Sequence, residues 1–172
     1  INFDKFKPID KKTSLDKLNW DKSKKHILFA ANPNRSEKNF TLALSAFNIL
    51  DDHNIELHYL ENVPNNMMPY YYNSADVVML TSLWEGSPNA IKEAMACNRA
   101  IVCTDVGDVR VLLSDTSGCY VAKSYDYKEI AQLIQKALQY QKTIGREKVN
   151  NLNENNIATK IIEIYKKVKE AK

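Results

Sequence analysis

Short, continuous apolar runs alternate with amphipathic segments along most of the chain. Runs of this kind are typical of strands buried on both faces, as in parallel sheets. They predict strands at 26–31, 77–80, 100–104 and 119–122, and a further strand is predicted at 55–60. Helical spacing of apolar residues predicts helices at 14–19, 37–50, 65–74, 88–97, 109–113, 127–140, 143–151 and 154–170. This order predicts an α/β fold, a Rossmann-like parallel sheet of about six strands with helices on both faces.

Composition narrows the class of protein. The net charge of +3, from 24 basic and 21 acidic residues, is too balanced for a nucleic-acid-binding surface. No apolar run approaches the ~20 residues of a membrane-spanning helix. Three cysteines without a CxxC pair favour reduced thiols in a cytoplasmic protein. Because the chain begins at Ile1, with neither Met nor a signal peptide, we expect it to be part of a longer protein.

The loops after the strands are the first place to seek a ligand site, because open parallel sheets bind ligands there. The first such loop carries Arg35 and Lys38 at the predicted start of a helix. Cations at a helix N-terminus oppose the helix dipole, and a bound phosphate would relieve that conflict. The alternative, which this loop alone favours, is two solvated surface cations.

The loop after the third predicted strand combines several features of a phosphate and sugar site. Ser87 and Pro88 predict a helix start, with Ser87 as N-cap and Pro88 as the first helical residue. Gly86 permits a ligand to approach the backbone, and the free amides of the first helical turn suit a phosphate. Glu85 and Glu93 can both accept hydrogen bonds from hydroxyls of one ligand, because helical side chains lean toward the N-terminus. The alternative is a surface charge at Glu85 and a helix-dipole partner at Glu93.

The loop 105–108 follows the next predicted strand. Gly107 predicts a tight turn near the ligand, and we expect Asp108 to cap the helix at 109–113.

Read together, these segments resemble the retaining glycosyltransferases of family four, which have the GT-B fold. The segment 85–96, EGSPNAIKEAMA, resembles their E-x7-E signature with its surroundings. The segments 36–38 and 104–107 resemble the P-E-K of their phosphate loop and their T-D-V-G-G sequence. The resemblance implies that residues 1–172 form one domain, the C-terminal donor-binding half of such an enzyme, without its N-terminal acceptor domain.

The resemblance also implies roles for individual residues. Arg35 and Lys38 would hold the diphosphate and stabilise its charge as it leaves. Glu85 would bind hydroxyls of the transferred sugar, and Glu93 would bind the ribose hydroxyls. The other expected substrate-binding residues, near the base and along the phosphates and sugar, are Asn62, Val63, Gly86, Ser87, Pro88 and Asn89. The chain departs from the family pattern at Asn32-Pro33, where a Gly-Arg pair is usual.

The implied reaction is retaining transfer of a hexosyl or related group from a UDP-, GDP- or ADP-sugar, with no further cofactor. No metal site is expected, because no Asp-x-Asp motif stands before a suitable strand. The acceptor would be a glycan or lipid-linked glycan held by the missing N-terminal domain, so we expect no transfer by this chain alone. The process would be cell-surface polysaccharide or glycan synthesis, in the cytoplasm or at the cytoplasmic face of the membrane.

Two other functions remain open, a nucleotide-sugar epimerase of GT-B architecture and a non-catalytic nucleotide-binding module. The Lys-rich tail 160–172 predicts either peripheral contact of the full-length protein with anionic lipid or a solvated helix face. The solvated helix face is favoured, and the buried side of that helix would be Ile161, Ile162, Ile164 and Val168. The three histidines, His26, His53 and His58, are given no role.

Overall fold

A computed structural model describes residues 1–170, which form an α/β fold around one parallel sheet. The strands are β1 Lys25–Phe29, β2 Ile55–Tyr59, β3 Val77–Leu80, β4 Ala100–Cys103 and β5 Cys119–Val121. They pair in parallel in the order β2-β1-β3-β4-β5. Each predicted apolar run therefore forms a strand. The predicted count of about six is one too many for the described residues, because their remaining apolar residues lie in helices and loops.

Eight α-helices connect and flank the strands within the described residues. They are α1 Lys11–Leu18, α2 Phe40–Asn48, α3 Met68–Ser74, α4 Asn89–Ala96, α5 Val109–Leu113, α6 Tyr127–Ala137, α7 Gly145–Lys148 and α8 Glu154–Glu170. The helix predicted at 37–50 is shorter, because Asn39 adopts a left-handed backbone conformation with φ 52°. A 3-10 turn at Ser36–Lys38 therefore precedes α2, and Arg35 and Lys38 do not stand at an α-helix N-terminus as predicted.

Two hydrophobic layers cover the sheet, one on each face. Alternate residues of β1 point to opposite faces, so that Ile27 and Phe29 pack with α2 and α6 while Leu28 packs with the other layer. That second layer contains side chains of α3, α4 and α5 together with Phe3 and Phe6. The residues of β3 and β4 are all apolar and buried, whereas β1 and β2 also carry His26, Glu56 and His58. The polar side chains of the predicted donor site lie in the loops at the carboxyl edge of the sheet.

The N-terminal segment is held against this second layer by Arg146 of α7. Its guanidinium donates hydrogen bonds to the carbonyl oxygens of Phe6 (2.6 Å), Ala96 (3.0 Å) and Phe3 (3.0 Å). It also lies 4.1 Å from the centre of the Phe3 ring. One residue thus ties together the N-terminal segment, α4 and α7.

The last helix, α8, has no buried residue. The prediction that Ile161, Ile162, Ile164 and Val168 form its buried side is wrong, since these side chains are about half exposed, from 47% to 61%. Helical spacing correctly indicated an apolar face, but periodicity does not reveal whether another element covers that face. Residues 171 and 172 of the predicted Lys-rich tail lie outside the described residues. None of the described helices is long and apolar enough to cross a membrane.

Candidate functional site

The loops that follow β1 and β3 meet at the carboxyl edge of the sheet. The amide of Leu83 donates a hydrogen bond to the carbonyl oxygen of Glu37, at 2.8 Å. The buried hydroxyl of Thr81 donates to the carbonyl oxygens of Lys38 and Asn39, at 3.0 and 2.9 Å. These backbone contacts hold the turn that carries Lys38 directly against the end of β3.

This arrangement brings Lys38 and Glu85 together. Lys38 Nζ donates to Glu85 Oε1 at 2.5 Å, and Ser82 Oγ donates to the same oxygen at 2.8 Å. The side chains of Lys38 and Glu85 are only 13% and 16% exposed, so the pair is less screened than a surface ion pair. The hydrogen bonds of Glu85 within residues 1–170 all fall on Oε1, which leaves Oε2 for a ligand. Lys38 similarly retains ammonium hydrogens beyond the one that Glu85 accepts.

Arg35 does not join this cluster. Its side chain is 60% exposed and forms an ion pair with Glu37. The predicted partnership of Arg35 with Lys38 on a diphosphate would need a rotation of the Arg35 side chain away from Glu37. Lys38 is therefore the cation that the fold itself positions, and the role of Arg35 stays a prediction.

The segment from Gly86 to Asn89 lies between the end of β3 and α4. The prediction that Ser87 caps the helix is wrong, because α4 begins at Asn89 and Pro88 occupies the N-cap position without a side-chain cap bond. Ser87 Oγ instead donates to Asp108 Oδ2 at 2.5 Å, which ties this segment to the loop after β4. A Cβ placed on Gly86 would meet no atom within 4 Å. The backbone there faces open space, as close approach of a ligand requires.

The loop after β4 packs against the backbone of the Gly86-to-Asn89 segment. Gly107 has φ +55°, and a Cβ at this position would lie 2.1 Å from the carbonyl oxygen of Gly86. Asp108 precedes α5 as predicted, but its carboxylate accepts from Ser87 rather than capping the helix. Its other oxygen, Oδ1, is buried without a hydrogen-bond partner in the described residues. The loops after β3 and β4 therefore form one interlocked unit.

Glu93 lies in the second turn of α4, with the phenol of Tyr72 donating to Oε2 at 2.8 Å. Burial raises the pKa of Glu93, and the Tyr72 hydrogen bond opposes that rise by stabilising the carboxylate. Burial also raises the pKa of Tyr72, which keeps the phenol a hydrogen-bond donor. Glu93 and Glu85 thus have separate protein partners, and each retains an oxygen that can accept a ligand hydroxyl. Their predicted convergence on one ligand stays a prediction.

Asn62 and Val63 follow β2, which is the neighbour of β1 in the sheet. Asn62 is exposed and adopts a left-handed conformation with φ 52°, whereas Val63 is half-buried. Their expected place beside the nucleotide base stays a prediction.

Sequence reasoning missed three side chains that organise the site. Ser82 and Tyr72 hold the two glutamates, and Thr104 holds the Ser82 backbone through a 2.6 Å hydrogen bond to its carbonyl oxygen. Only Tyr72 carried a signal, as the fully buried member of a run of three tyrosines. Thr104 could not be given this role from the sequence, because Ser82 lies 22 residues away along the chain. Ser82 is only three residues from Glu85, but a Ser-to-Glu spacing of three is not by itself a signal of such a contact.

The sequence profile of the family "Glycosyl transferases group 1" matches residues 52–159. The chain is 32% identical over 83 residues to the O-antigen chain mannosyltransferase B of Escherichia coli. The matched part covers 48% of this chain and 21% of that protein. The chain is 42% identical over 50 positions to the putative teichuronic acid biosynthesis glycosyltransferase TuaC of Bacillus subtilis, covering 29% of this chain and 13% of that protein. The chain thus matches only a small part of each relative's length.

Solved structures share the fold at low sequence identity. Sucrose-phosphate synthase of Thermosynechococcus elongatus superposes over 100% of this chain and 52% of its own, with a TM-score of 0.82 and 17% identity. A C-terminal domain of a glycosyl transferase group 1 family protein (LpcC) of Francisella tularensis superposes over 88% of this chain and 97% of its own. For that domain the TM-score is 0.68 and the identity 15%. The fold is that of one half of the GT-B enzymes.

Proposed function

The chain belongs to the group 1 glycosyltransferases, and from that premise we propose that it is the donor-binding domain of a retaining enzyme, which binds a nucleoside diphosphate sugar. The observation that carries this proposal is the partly buried Lys38–Glu85 pair between the loops after β1 and β3. A cation and a carboxylate side by side suit a ligand in which a phosphate adjoins a hydroxylated ring. A nucleoside diphosphate sugar has that chemistry.

Lys38 is the phosphate ligand and the group that stabilises the departing diphosphate. As the bond between sugar and phosphate breaks, negative charge grows on the leaving oxygen. The Lys38 ammonium group is already held in place, because Thr81 bonds to the Lys38 backbone and Glu85, itself bonded by Ser82, accepts from the ammonium. It therefore meets the charge of the leaving oxygen with little rearrangement. The open backbone at Gly86 and the following residues 87–89 completes the phosphate and sugar site.

Glu85 and Glu93 bind hydroxyl groups at the two ends of the donor. Lys38 and Ser82 occupy Oε1 of Glu85, so Oε2 accepts from a hydroxyl of the sugar. Tyr72 occupies Oε2 of Glu93, so Oε1 accepts from the ribose. In this assignment both oxygens of Glu85 are engaged, Oε1 by Lys38 and Ser82 and Oε2 by a sugar hydroxyl, so neither is left to attack the anomeric carbon. This supports retention through donor-side attack rather than through a covalent glycosyl-enzyme intermediate.

The relatives named for O-antigen and teichuronic acid synthesis support a role in cell-surface polysaccharide assembly. The acceptor would then be a growing glycan or lipid-linked glycan at the cytoplasmic face of the membrane.

Calorimetric titration of the chain with UDP and with GDP tests the donor site. Lys38→Ala removes a charged hydrogen bond worth about 1.5–3 kcal/mol, so the affinity falls about tenfold or more. Lys136→Ala, at an exposed position of α6, is the matched control and leaves the affinity unchanged. An unchanged affinity in Lys38→Ala would overturn the phosphate role.

A double variant shows whether Lys38→Ala weakens binding through a lost contact with the phosphates or through the unpaired charge of Glu85. Lys38→Ala alone leaves the Glu85 carboxylate unpaired near the phosphates, whereas Lys38→Ala with Glu85→Gln does not. Binding stays weak in the double variant if Lys38 touches the phosphates. Recovery of the wild-type affinity would assign the loss to Glu85 repulsion instead.

The reaction type is tested by ¹H NMR of the anomeric proton after incubation of the full-length gene product with donor and acceptor. A product with the donor's anomeric configuration supports retention. An inverted product would contradict it, and epimerisation of the donor in the absence of acceptor would identify an epimerase.

A further inference from the structure

Two histidines and a glutamate lie on one face of the sheet, where β1 and β2 pair. His26 is the register partner of Glu56, and His58 follows two residues later on β2. Residues two apart on a strand point to the same side, so all three side chains project into the same space. This cluster uses no residue of the donor site at the carboxyl ends of β1 and β3.

The three facing atoms of this cluster form a compact triangle. His26 Nδ1 lies 3.0 Å from His58 Nε2, and Glu56 Oε2 lies 3.7 Å from each of these nitrogens. A triangle with these edges has a centre about 2.0 Å from every corner, which is the usual length of a bond from zinc to a histidine nitrogen or carboxylate oxygen. An ion placed near that centre can reach all three atoms without movement of the backbone.

Neighbouring groups hold each of the three side chains in this orientation. His26 Nε2 lies 2.8 Å from the carbonyl oxygen of Asp21 and donates to it, which leaves Nδ1 as the unprotonated nitrogen. The indole of Trp20 stacks on the His58 ring, with centroids 3.5 Å apart and an interplanar angle of 11°. Lys24 bonds to Oε1 of Glu56 at 2.7 Å and leaves Oε2 on the side of the histidines. Such outer contacts are what orient the ligands of natural zinc sites.

The cluster lies between the buried core and the solvent. His26 is fully buried, whereas the side chains of His58 and Glu56 are 20% and 33% exposed. We expect an ion to enter from the exposed side, where a water molecule can supply a fourth ligand.

The geometry points to a binding site for Zn²⁺ formed by His26 Nδ1, Glu56 Oε2 and His58 Nε2. Two imidazoles and one carboxylate are ligands that zinc accepts readily, and Mg²⁺, which prefers oxygen ligands, does not suit them. When the ion binds, it replaces the proton between the two facing nitrogens, and His58 carries its proton on Nδ1. The ion would link β1 to β2, and the nearby Lys24 ammonium opposes it electrostatically.

The test is a long-range ¹H–¹⁵N NMR spectrum of the histidine rings, recorded after chelator treatment and during titration with ZnSO₄. The chain has three histidines, and the exposed His53 is an internal control. His26 Nδ1 and His58 Nε2 should shift together and saturate at one equivalent, while His53 stays unchanged. An absence of shifts, or equal shifts at His53, would overturn the proposal.

A thermal unfolding experiment provides a second readout that does not depend on a variant. Zinc at about 100 times its Kd should raise the Tm by about 5–10 °C, and MgCl₂ at the same concentration should not. Glu56→Gln should weaken zinc binding by at least the ~10–100-fold lost when a ligand-orienting group is removed. His53→Ala should bind zinc as the wild type does. Equal zinc affinity in Glu56→Gln would remove the carboxylate from the site.

Discussion

Gly107 makes the contact on which the shape of the donor site depends. Its backbone is left-handed, with φ +55°, and a Cβ there would lie 2.1 Å from the Gly86 carbonyl oxygen and 2.9 Å from that of Glu85. Both contacts are backbone contacts, so no flexible side chain can move aside. We therefore expect Gly107→Ala to push the loop after β4 away from the loop that carries Glu85.

The loss of free energy of unfolding in Gly107→Ala has two parts. The left-handed conformation costs an alanine about 1–2 kcal/mol relative to glycine. Relief of the overlap with the Gly86 carbonyl adds about 1–3 kcal/mol, the usual range for an atom forced into a packed region. The free energy of unfolding should thus fall by about 2–5 kcal/mol, which lowers the Tm by about 4–20 °C in a chain of this length.

Gly86→Ala is the matched control. A Cβ at Gly86 meets no atom within 4 Å, and its φ is not in the left-handed region. Urea denaturation followed by circular dichroism should show Gly107→Ala destabilised and Gly86→Ala within about 0.5 kcal/mol of the wild type. Calorimetry should show weaker UDP or GDP binding in both variants, because the new methyl of Gly86→Ala occupies the space kept for the ligand.

Wild-type stability in Gly107→Ala would refute the claim that the two loops are locked together. Equal destabilisation by Gly86→Ala would refute the claim that the backbone at Gly86 faces open space.

Two further predictions concern Glu93 and the N-terminal segment. Because burial raises the folded-state pKa of Glu93, its contribution to the free energy of unfolding falls as pH rises above 4.5 through the folded pKa. Urea denaturation between pH 4 and 7 should show this fall in the free energy of unfolding with pH, and Glu93→Gln should reduce it. Tyr72→Phe should displace the fall to higher pH, because the Tyr72 hydrogen bond opposes the rise in the pKa of Glu93. Arg146→Ala should cost about 2–4 kcal/mol in the same assay, because Phe3 and Phe6 lose their anchor, and Arg146→Lys should not restore it.

Most strands and their parallel arrangement could be predicted because β3, β4 and β5 are apolar runs and β1 is one from Ile27 onward. Glu56 and His58 interrupt β2, which is therefore not a run of this kind. A strand between two helical layers needs apolar side chains on both faces, and few other structures do. Helix ends were less predictable. The left-handed Asn39 shortened α2, and the backbone conformation of a single asparagine leaves little trace in periodicity.

The candidate site was only partly predictable, for a related reason. Lys38 and the Glu85-to-Glu93 segment each belong to a short sequence motif, so the motifs identified them. Their contacts are not local. Ser87 was expected to cap its own helix but reaches Asp108, which lies 21 residues away. Tyr72 also reaches Glu93 across 21 residues. Pairings of this kind are set by how the loops fold against each other, which single-sequence patterns do not contain.

The central claim is that a nucleoside diphosphate binds between the loops after β1 and β3. A ¹H–¹⁵N correlation spectrum of the labelled chain, titrated separately with UDP, GDP and ADP, tests it most directly. The amides of Lys38, Gly86, Ser87 and Asn89 should shift in proportion to occupancy with at least one of the three nucleotides, and those of α8 should not. Shifts confined to other surfaces, or none with any of the three at millimolar concentration, would contradict the claim.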